Sequence, residues 1–217
     1  MRAFTVHDVE QRSDAWFALR AGRLTGSLAD ALLAERKRGT GELAVRRDAR
    51  RKLVVERLTG MPAADSAKSA AMQHGIDTEA AAFRAYEART GQMVRRAGFL
   101  AHTDLMVGAS PDGYVGDFVG VLELKCPDSA THLDYVQAGQ LPAEYRGQVI
   151  HTLWVSGAQW VDFMSYDDRF IAPELRTFLI RVKREDVDLA AYELLVRMFL
   201  REVDDDVAAL LALTQAA

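Results

Sequence analysis

The chain has 217 residues, 49% of them hydrophobic and 27% charged, with a formal net charge of -4. This is globular composition with enough length for a sizeable core, so general disorder is excluded, and so is a polycation that coats nucleic acid over its whole surface. The single cysteine, Cys126, excludes an intrachain disulfide and any cysteine-only zinc or iron–sulfur centre.

No apolar run approaches the roughly 18–20 residues of a membrane span, and the first residues lack the apolar stretch of a secretion signal. The expectation is a cytoplasmic protein folded as a single domain over 1–217, without a membrane partner.

In chain order, Ser13 caps a helix predicted over 13–20, with Trp16 and Leu19 on one face. After a break at 21–27, a second helix is predicted over 28–34, capped by Thr25 or Ser27. Residues 35–41 read as a basic exposed loop, 42–58 as a solvent-facing helix and 60–69 as a loop. Another helix begins around Gly75, with Glu79, Phe83 and Tyr86 at helical spacing up to Gly91.

The period then shortens. Two short strands are predicted between Met93 and Val107, a turn at Ser110–Gly113, and an alternating strand over Gly120–Cys126 that Pro127 ends. Helices follow over 130–138 and Pro142–Val155, then strands over Trp160–Tyr166 and Leu175–Val182. The last element is an amphipathic helix from Asp186 to about Leu213, with Leu189, Tyr192, Leu195, Val196, Phe199, Val203 and Leu210 on its apolar stripe.

The segment 110–127 carries the chemistry. Side chains alternate along a strand, so Glu123 and Lys125 share one face while Leu122, Leu124 and Cys126 share the apolar, core-facing side. Asp112 follows Pro111 at a turn, and a hairpin would return its carboxylate to the same place. Two carboxylates beside a lysine suit metal-dependent phosphodiester hydrolysis. Magnesium takes oxygen ligands and keeps several waters, so two carboxylates and a backbone carbonyl suffice. The metal neutralises the phosphate and acidifies a bound water, which a lysine can orient or deprotonate. The alternative is an exposed ion pair on an edge strand, a common arrangement of little consequence. The turn, the flanking apolar residues and the terminating proline favour the first reading.

Ser110-Pro111-Asp112-Gly113 followed by Leu122-Glu123-Leu124-Lys125-Cys126-Pro127 resembles the phage lambda exonuclease family of viral recombinases. These YqaJ-like nucleases belong to the PD-(D/E)XK superfamily. Four further motifs resemble the family in the right order: Asp14-Ala15-Trp16 with Leu19 to Ser27, Gly75 to Glu79, Tyr145 to Gln148 with Trp154-Val155, and Tyr166 to Arg169.

The resemblance implies an α/β fold with a restriction-endonuclease-like core: a central mixed β-sheet flanked by helices, with N-terminal helices and a long C-terminal helix. It implies Asp112, Glu123 and the Leu124 carbonyl as ligands of Mg2+ (or Mn2+), Lys125 as the catalytic lysine, and Glu79 as the helix carboxylate that completes the site. Tyr145 and Gln148, three apart on one helix face, would line the site near the substrate phosphate. Arg20, Ser27 and Ser110 would bind a terminal 5′-phosphate, which suits Ser27 at a helix N-terminus and the fork of Arg20. Met72 is the nearest candidate for the family's apolar wedge, and His74 stands where an aromatic residue is expected.

The implied activity is 5′-to-3′ exonuclease action on double-stranded DNA ends, releasing 5′-mononucleotides and leaving a 3′ strand for a single-strand annealing partner. A homotrimeric ring is implied, with Arg36, Lys37, Arg38, Arg46, Arg47, Arg50 and Arg51 able to supply a basic lining. Two rivals remain open, an endonuclease of the same core and a non-catalytic DNA-binding module. His74, His102, His132 and His151 have no ligand spacing, and Cys126 reads as a core residue.

Overall fold

A computed structural model of the chain describes the backbone of residues 3–34, 41–63 and 70–215, and the side chains of all these except 70–76 and 215. Among them the elements run β1 (Phe4–His7), α1 (Asp14–Arg20), α2 (Gly26–Leu33), α3 (Ala44–Thr59), α4 (Ala70–Thr90), β2 (Val94–Arg96), β3 (Phe99–His102) and β4 (Gly108–Ala109). There follow β5 (Gly113–Val115), β6 (Gly120–Lys125), α5 (Ser129–Ala138), α6 (Arg146–Ser156), β7 (Trp160–Tyr166), β8 (Thr177–Lys183) and α7 (Leu189–Gln215).

The architecture is mixed α/β. Five strands form the central sheet in the order β2-β5-β6-β7-β8. β6 and β7 run parallel, from Gly120 opposite Trp160 to Lys125 opposite Ser165, and the other neighbours are antiparallel. Parallel neighbours need a long crossover, and this one carries α5 and α6. A second sheet, β1-β3-β4, is antiparallel throughout.

Both faces of the central sheet are covered. Val121, Val161 and Phe163 pack among residues of α2, α3, α6 and α7. On the opposite face Leu122, Leu124, Met164 and Tyr166 pack against Phe83 and Tyr86 of α4. The side of β6 that carries Glu123 therefore does not lie on the surface, as the alternation alone suggested. It lies under α6, and Glu123 is 1% exposed.

The long helix α7 buries Tyr192, Val196, Phe199, Leu200 and Val203, each such apolar side chain contributing about 1.5–3 kcal/mol. Leu195 and Leu210 fall off this stripe and are exposed. Opposite α7, Arg46 of α3 bonds Glu202 at 2.6 and 2.9 Å and Glu42 at 2.7 Å, while Arg50 bonds Glu42 at 2.8 Å and also Asp206. The expected basic lining is corrected accordingly: Arg46 and Arg50 are matched by carboxylates, Arg47 and Arg51 remain exposed, and Arg36, Lys37 and Arg38 lie outside the described residues.

Some boundaries differ for local reasons. The segment predicted as one helix from Pro142 splits, because a 3-10 turn over Ala143–Tyr145 precedes α6. β1, assigned to no element from sequence, is held by pairing Phe4 with His102 of β3. Thr25 occupies the N-cap position of α2 without making a side-chain cap hydrogen bond. No described helix is long and apolar enough to cross a membrane.

Candidate active site

The hairpin of β5 and β6 brings the acidic pair together. Beyond the Gly113–Leu122 pair, the Asp112 N–H donates to the Leu122 carbonyl at 3.0 Å. The Asp112 carboxylate turns back along β6, where Oδ2 accepts the Leu124 N–H at 2.6 Å. Glu123 points towards α6. Its Oε2 accepts from Gln148 Nε2 at 2.7 Å and its Oε1 from Thr152 Oγ1 at 2.9 Å. Lys125 Nζ stands 3.7 Å from Glu123 Oε2 and 5.1 Å from the centre of the Tyr145 ring.

The position of α6 depends on close contact with α2. The Gly147 N–H donates to Asp30 Oδ1 at 2.7 Å, and a Cβ at Gly147 would lie 2.5 Å from the Asp30 backbone nitrogen. Only glycine permits this approach, which also sets Gly26 of α2 against Gln148, with Ser27 lining the same cavity.

Burial dominates the electrostatics. It pushes both carboxyls upward, Glu123 to about 8; the Asp112 charge raises Glu123 further, and the Glu79 charge raises Asp112. Lys125 opposes this in both cases. Burial alone would lower the Lys125 ammonium, but the charges of Asp112 and Glu123 outweigh it and the net shift is upward. The lysine is therefore protonated at neutral pH between two acids that are hard to ionise without a further cation.

Next to this group lies a pocket of hydroxyls and one guanidinium. Trp16 Nε1 donates to Ser110 Oγ at 2.9 Å, and the Arg20 guanidinium stacks 4.0 Å over the Trp16 ring. Arg20 reaches Ser110, Thr25 and Ser27 only at 3.4–3.5 Å. The Thr25 and Ser27 hydroxyls are 3.2 Å apart. The turn that joins α1 to α2 is held at Gly22 (φ 70°): the buried Glu56 accepts its N–H at 2.8 Å, and Arg57 Nε donates to its carbonyl at 3.0 Å. Arg20, Ser27, Ser110, Asp112, Glu123 and Gln148 all line one cavity of about 170 Å³.

Glu79 stands apart from this cavity. It accepts from Arg96 at 2.6 Å, lies 3.8 Å from Arg12, and shares with Asp112 a neighbouring cavity of about 480 Å³. The side chain of Met72 lies outside the described residues. Thr152 was not anticipated, although its place four residues after Gln148 puts it on the same helix face. The Tyr166–Arg169 motif ties strand ends together. Buried Asp167 accepts from Arg169 Nε at 2.7 Å, and Arg169 Nη2 donates to the Pro127 carbonyl at 2.8 Å. Burial would raise the Asp167 carboxyl, but bonds from Arg169 and Ser129 outweigh it and hold it at about 2.

Among the described residues, no three His, Cys, Asp or Glu side chains form a ready-made metal cage. The donor set still fits a hard divalent ion. Magnesium is commonly held by one or two carboxylates plus waters and substrate phosphate, and Asp112 Oδ1 makes no hydrogen bond to a described residue. A cation there would also relieve the burial that disfavours the ionised acids.

Buried Glu123, with Lys125, on the central strand β6 and half-buried Asp112 turned back onto that strand define a nuclease type of α/β protein. Residues 15–159 match the YqaJ-like viral recombinase domain, and the chain belongs to that family. It is 33% identical to the alkaline exonuclease LHK-Exo from Laribacter hongkongensis, over 94% of this chain and 99% of that one, with a TM-score of 0.82. The structure of LHK-Exo in complex with dAMP superimposes at 0.83, again with 33% identity, covering 94% of this chain and 100% of that one. A phage-related exonuclease from Haemophilus somnus 129PT shares the fold, with a TM-score of 0.68 at 15% identity over 87% of this chain and 96% of that one. No curated protein matches the sequence. The chain is thus a member of the viral recombinase and alkaline exonuclease group of nucleases.

Proposed function

We propose that the chain is a metal-dependent 5′-to-3′ exonuclease on double-stranded DNA ends, the whole of 1–217 acting as one exonuclease domain. The observation that carries this reading is the single cavity in which Arg20, Ser27 and Ser110 adjoin Asp112 and Glu123. An arginine and two hydroxyls suit the non-bridging oxygens of a terminal phosphate. A strand anchored there by its 5′-phosphate presents its next phosphodiester to the carboxylates, so each cut releases a mononucleotide. The dAMP held by LHK-Exo is a compound of that class.

In this reading Asp112, Glu123 and the Leu124 carbonyl hold Mg2+ (or Mn2+), which supplies charge neutralisation and an acidified water. Gln148 and Thr152 fix the Glu123 carboxylate from one helix face. Lys125 keeps its charge beside both acids and so orients the attacking water or stabilises the charge that develops on the phosphate, while Tyr145 flanks its ammonium. Glu79, on the adjoining wall, helps hold a second ion or its waters once freed from Arg96. A homotrimer would place the site on a ring through which duplex passes. The 3′ strand would go to an annealing protein in the cytoplasm of a phage-bearing cell.

The test is end-labelled linear duplex, with and without a 5′-phosphate, in magnesium or chelator. Expected is magnesium-dependent release of 5′-mononucleotides, faster with the phosphate. The variant R20A should lose that preference by about 10–100-fold, the size of one or two charge-assisted hydrogen bonds. Nicking of covalently closed circles at the rate seen on linear ends would contradict the proposal and favour an endonuclease.

A further inference from the structure

We infer that Arg12 contacts a backbone phosphate of the bound strand, at the junction between the cavity of Asp112 and Glu123 and that of Glu79. The inference rests on the nuclease reading above and adds a substrate contact to it. Arg12 lines both cavities and is the residue that separates the hydroxyl pocket from the Glu79 wall together with Gln11 and Asp112. Its backbone is held in the left-handed region, at φ 70°. A non-glycine residue there is uncommon, and such strain collects at functional sites when the surroundings enforce it.

The surroundings do enforce it. The Gln11 side chain donates from Nε2 to the carbonyls of Ala97 and Pro111, both at 3.0 Å. Pro111 immediately precedes Asp112, so the loop carrying Arg12 is stapled to the turn that carries the acid. On the other side, Ser13 caps α1 by accepting the Trp16 N–H at 3.2 Å, which fixes where the chain leaves Arg12. Two anchors, one on each side, hold a strained residue against an acidic cleft.

The guanidinium itself is only loosely engaged. Its ion pair to Glu79 Oε2 spans 3.8 Å, and its side chain is 46% exposed. Arg96, by contrast, satisfies Glu79 at 2.6 Å. A half-exposed arginine whose ion pair to Glu79 is this long contributes little to folding, yet its fork suits phosphate oxygens. A cleft lined by Asp112, Glu123 and Glu79 repels DNA along its own backbone, and a fixed cation at the junction offsets that repulsion where the strand must pass.

The test uses the full chain and three variants. Glycine is the residue suited to φ 70°, so R12G removes the charge while relaxing the backbone. R12A removes the charge and keeps the strain, and R12K keeps the charge without the fork. Steady-state kinetics on 5′-phosphorylated duplex in magnesium should show KM raised about 5- to 20-fold in R12G and R12A, as for one lost phosphate contact, with kcat changed less than about two-fold. The dependence of log KM on log salt should fall by about one unit of slope in both. R12K should fall between them and the wild type, and R12G should melt no lower than the wild type. If R12G and R12A keep the wild-type KM and salt slope while the wild type cuts DNA, the inference is overturned and the nuclease reading stands. If the wild type cuts no DNA in any metal, both fall together.

Discussion

Lys125→Ala is expected to leave DNA bound and uncut, lowering the rate of hydrolysis about 10²- to 10³-fold, the range of a lost charge-stabilising group. The ammonium sits 3.7 Å from Glu123 and is held charged by Asp112 and Glu123 against the effect of its own burial. In the proposed reaction, removing it takes away the group that orients the attacking water. It also leaves Asp112 and Glu123 without their internal counter-charge, so both shift further towards the neutral form. The pocket proposed for the terminal phosphate is separate, since Arg20 is braced by Trp16 and by the Gly22 turn, and binding should change little. Single-turnover cleavage of end-labelled duplex, paired with fluorescence anisotropy in chelator, separates the two effects. Cleavage by the variant at the wild-type rate would remove the lysine from the mechanism.

The second large effect concerns stability. Asp162 of β7 is 1% exposed and accepts from Tyr86 OH at 2.7 Å and from Arg181 at 2.8 and 2.7 Å. Arg181 also lies 3.7 Å over the Trp160 ring. This network joins α4 to the two strands behind the site. Arg181→Met keeps an aliphatic stem but strands a buried carboxylate, which costs about 3–5 kcal/mol. For a chain of this size the expected fall in Tm is roughly 6–20 °C. The double variant D162N/R181M leaves no charge uncompensated and should recover much of the loss, as a thermal melt of each would show. An unchanged Tm in R181M would mean that the network carries no net stability.

The part of the site that sequence revealed is the part that is local. The alternation of Leu122 to Lys125 and the turn at Pro111 are short-range features, and the hairpin they imply does return Asp112 to β6. Tyr145 and Gln148 converge on the same strand because the crossover that carries them must lie over it. What depended on distant segments was not legible. Nothing near Glu123 signals that α6 buries it, because that helix is placed by Gly147 meeting Asp30 of α2. The cations of α3 look unmatched until α7 brings Glu202 and Asp206 against them from 156 positions away. Glu79, the helix carboxylate expected to complete the site, does share a cavity with Asp112, but its partner Arg96, 17 positions on, is not signalled by the helix that carries it. β1 is only four residues long and exists through its partner strand.

The proposed chemistry depends on a divalent cation being held between the carboxylates of Asp112 and Glu123. The direct measurement is anomalous scattering from a crystal of the protein soaked in manganese. The account predicts a peak bridged by both carboxylates, within coordination distance of the Leu124 carbonyl oxygen and next to Lys125. Manganese bound elsewhere, with Asp112 and Glu123 left uncoordinated, would contradict it.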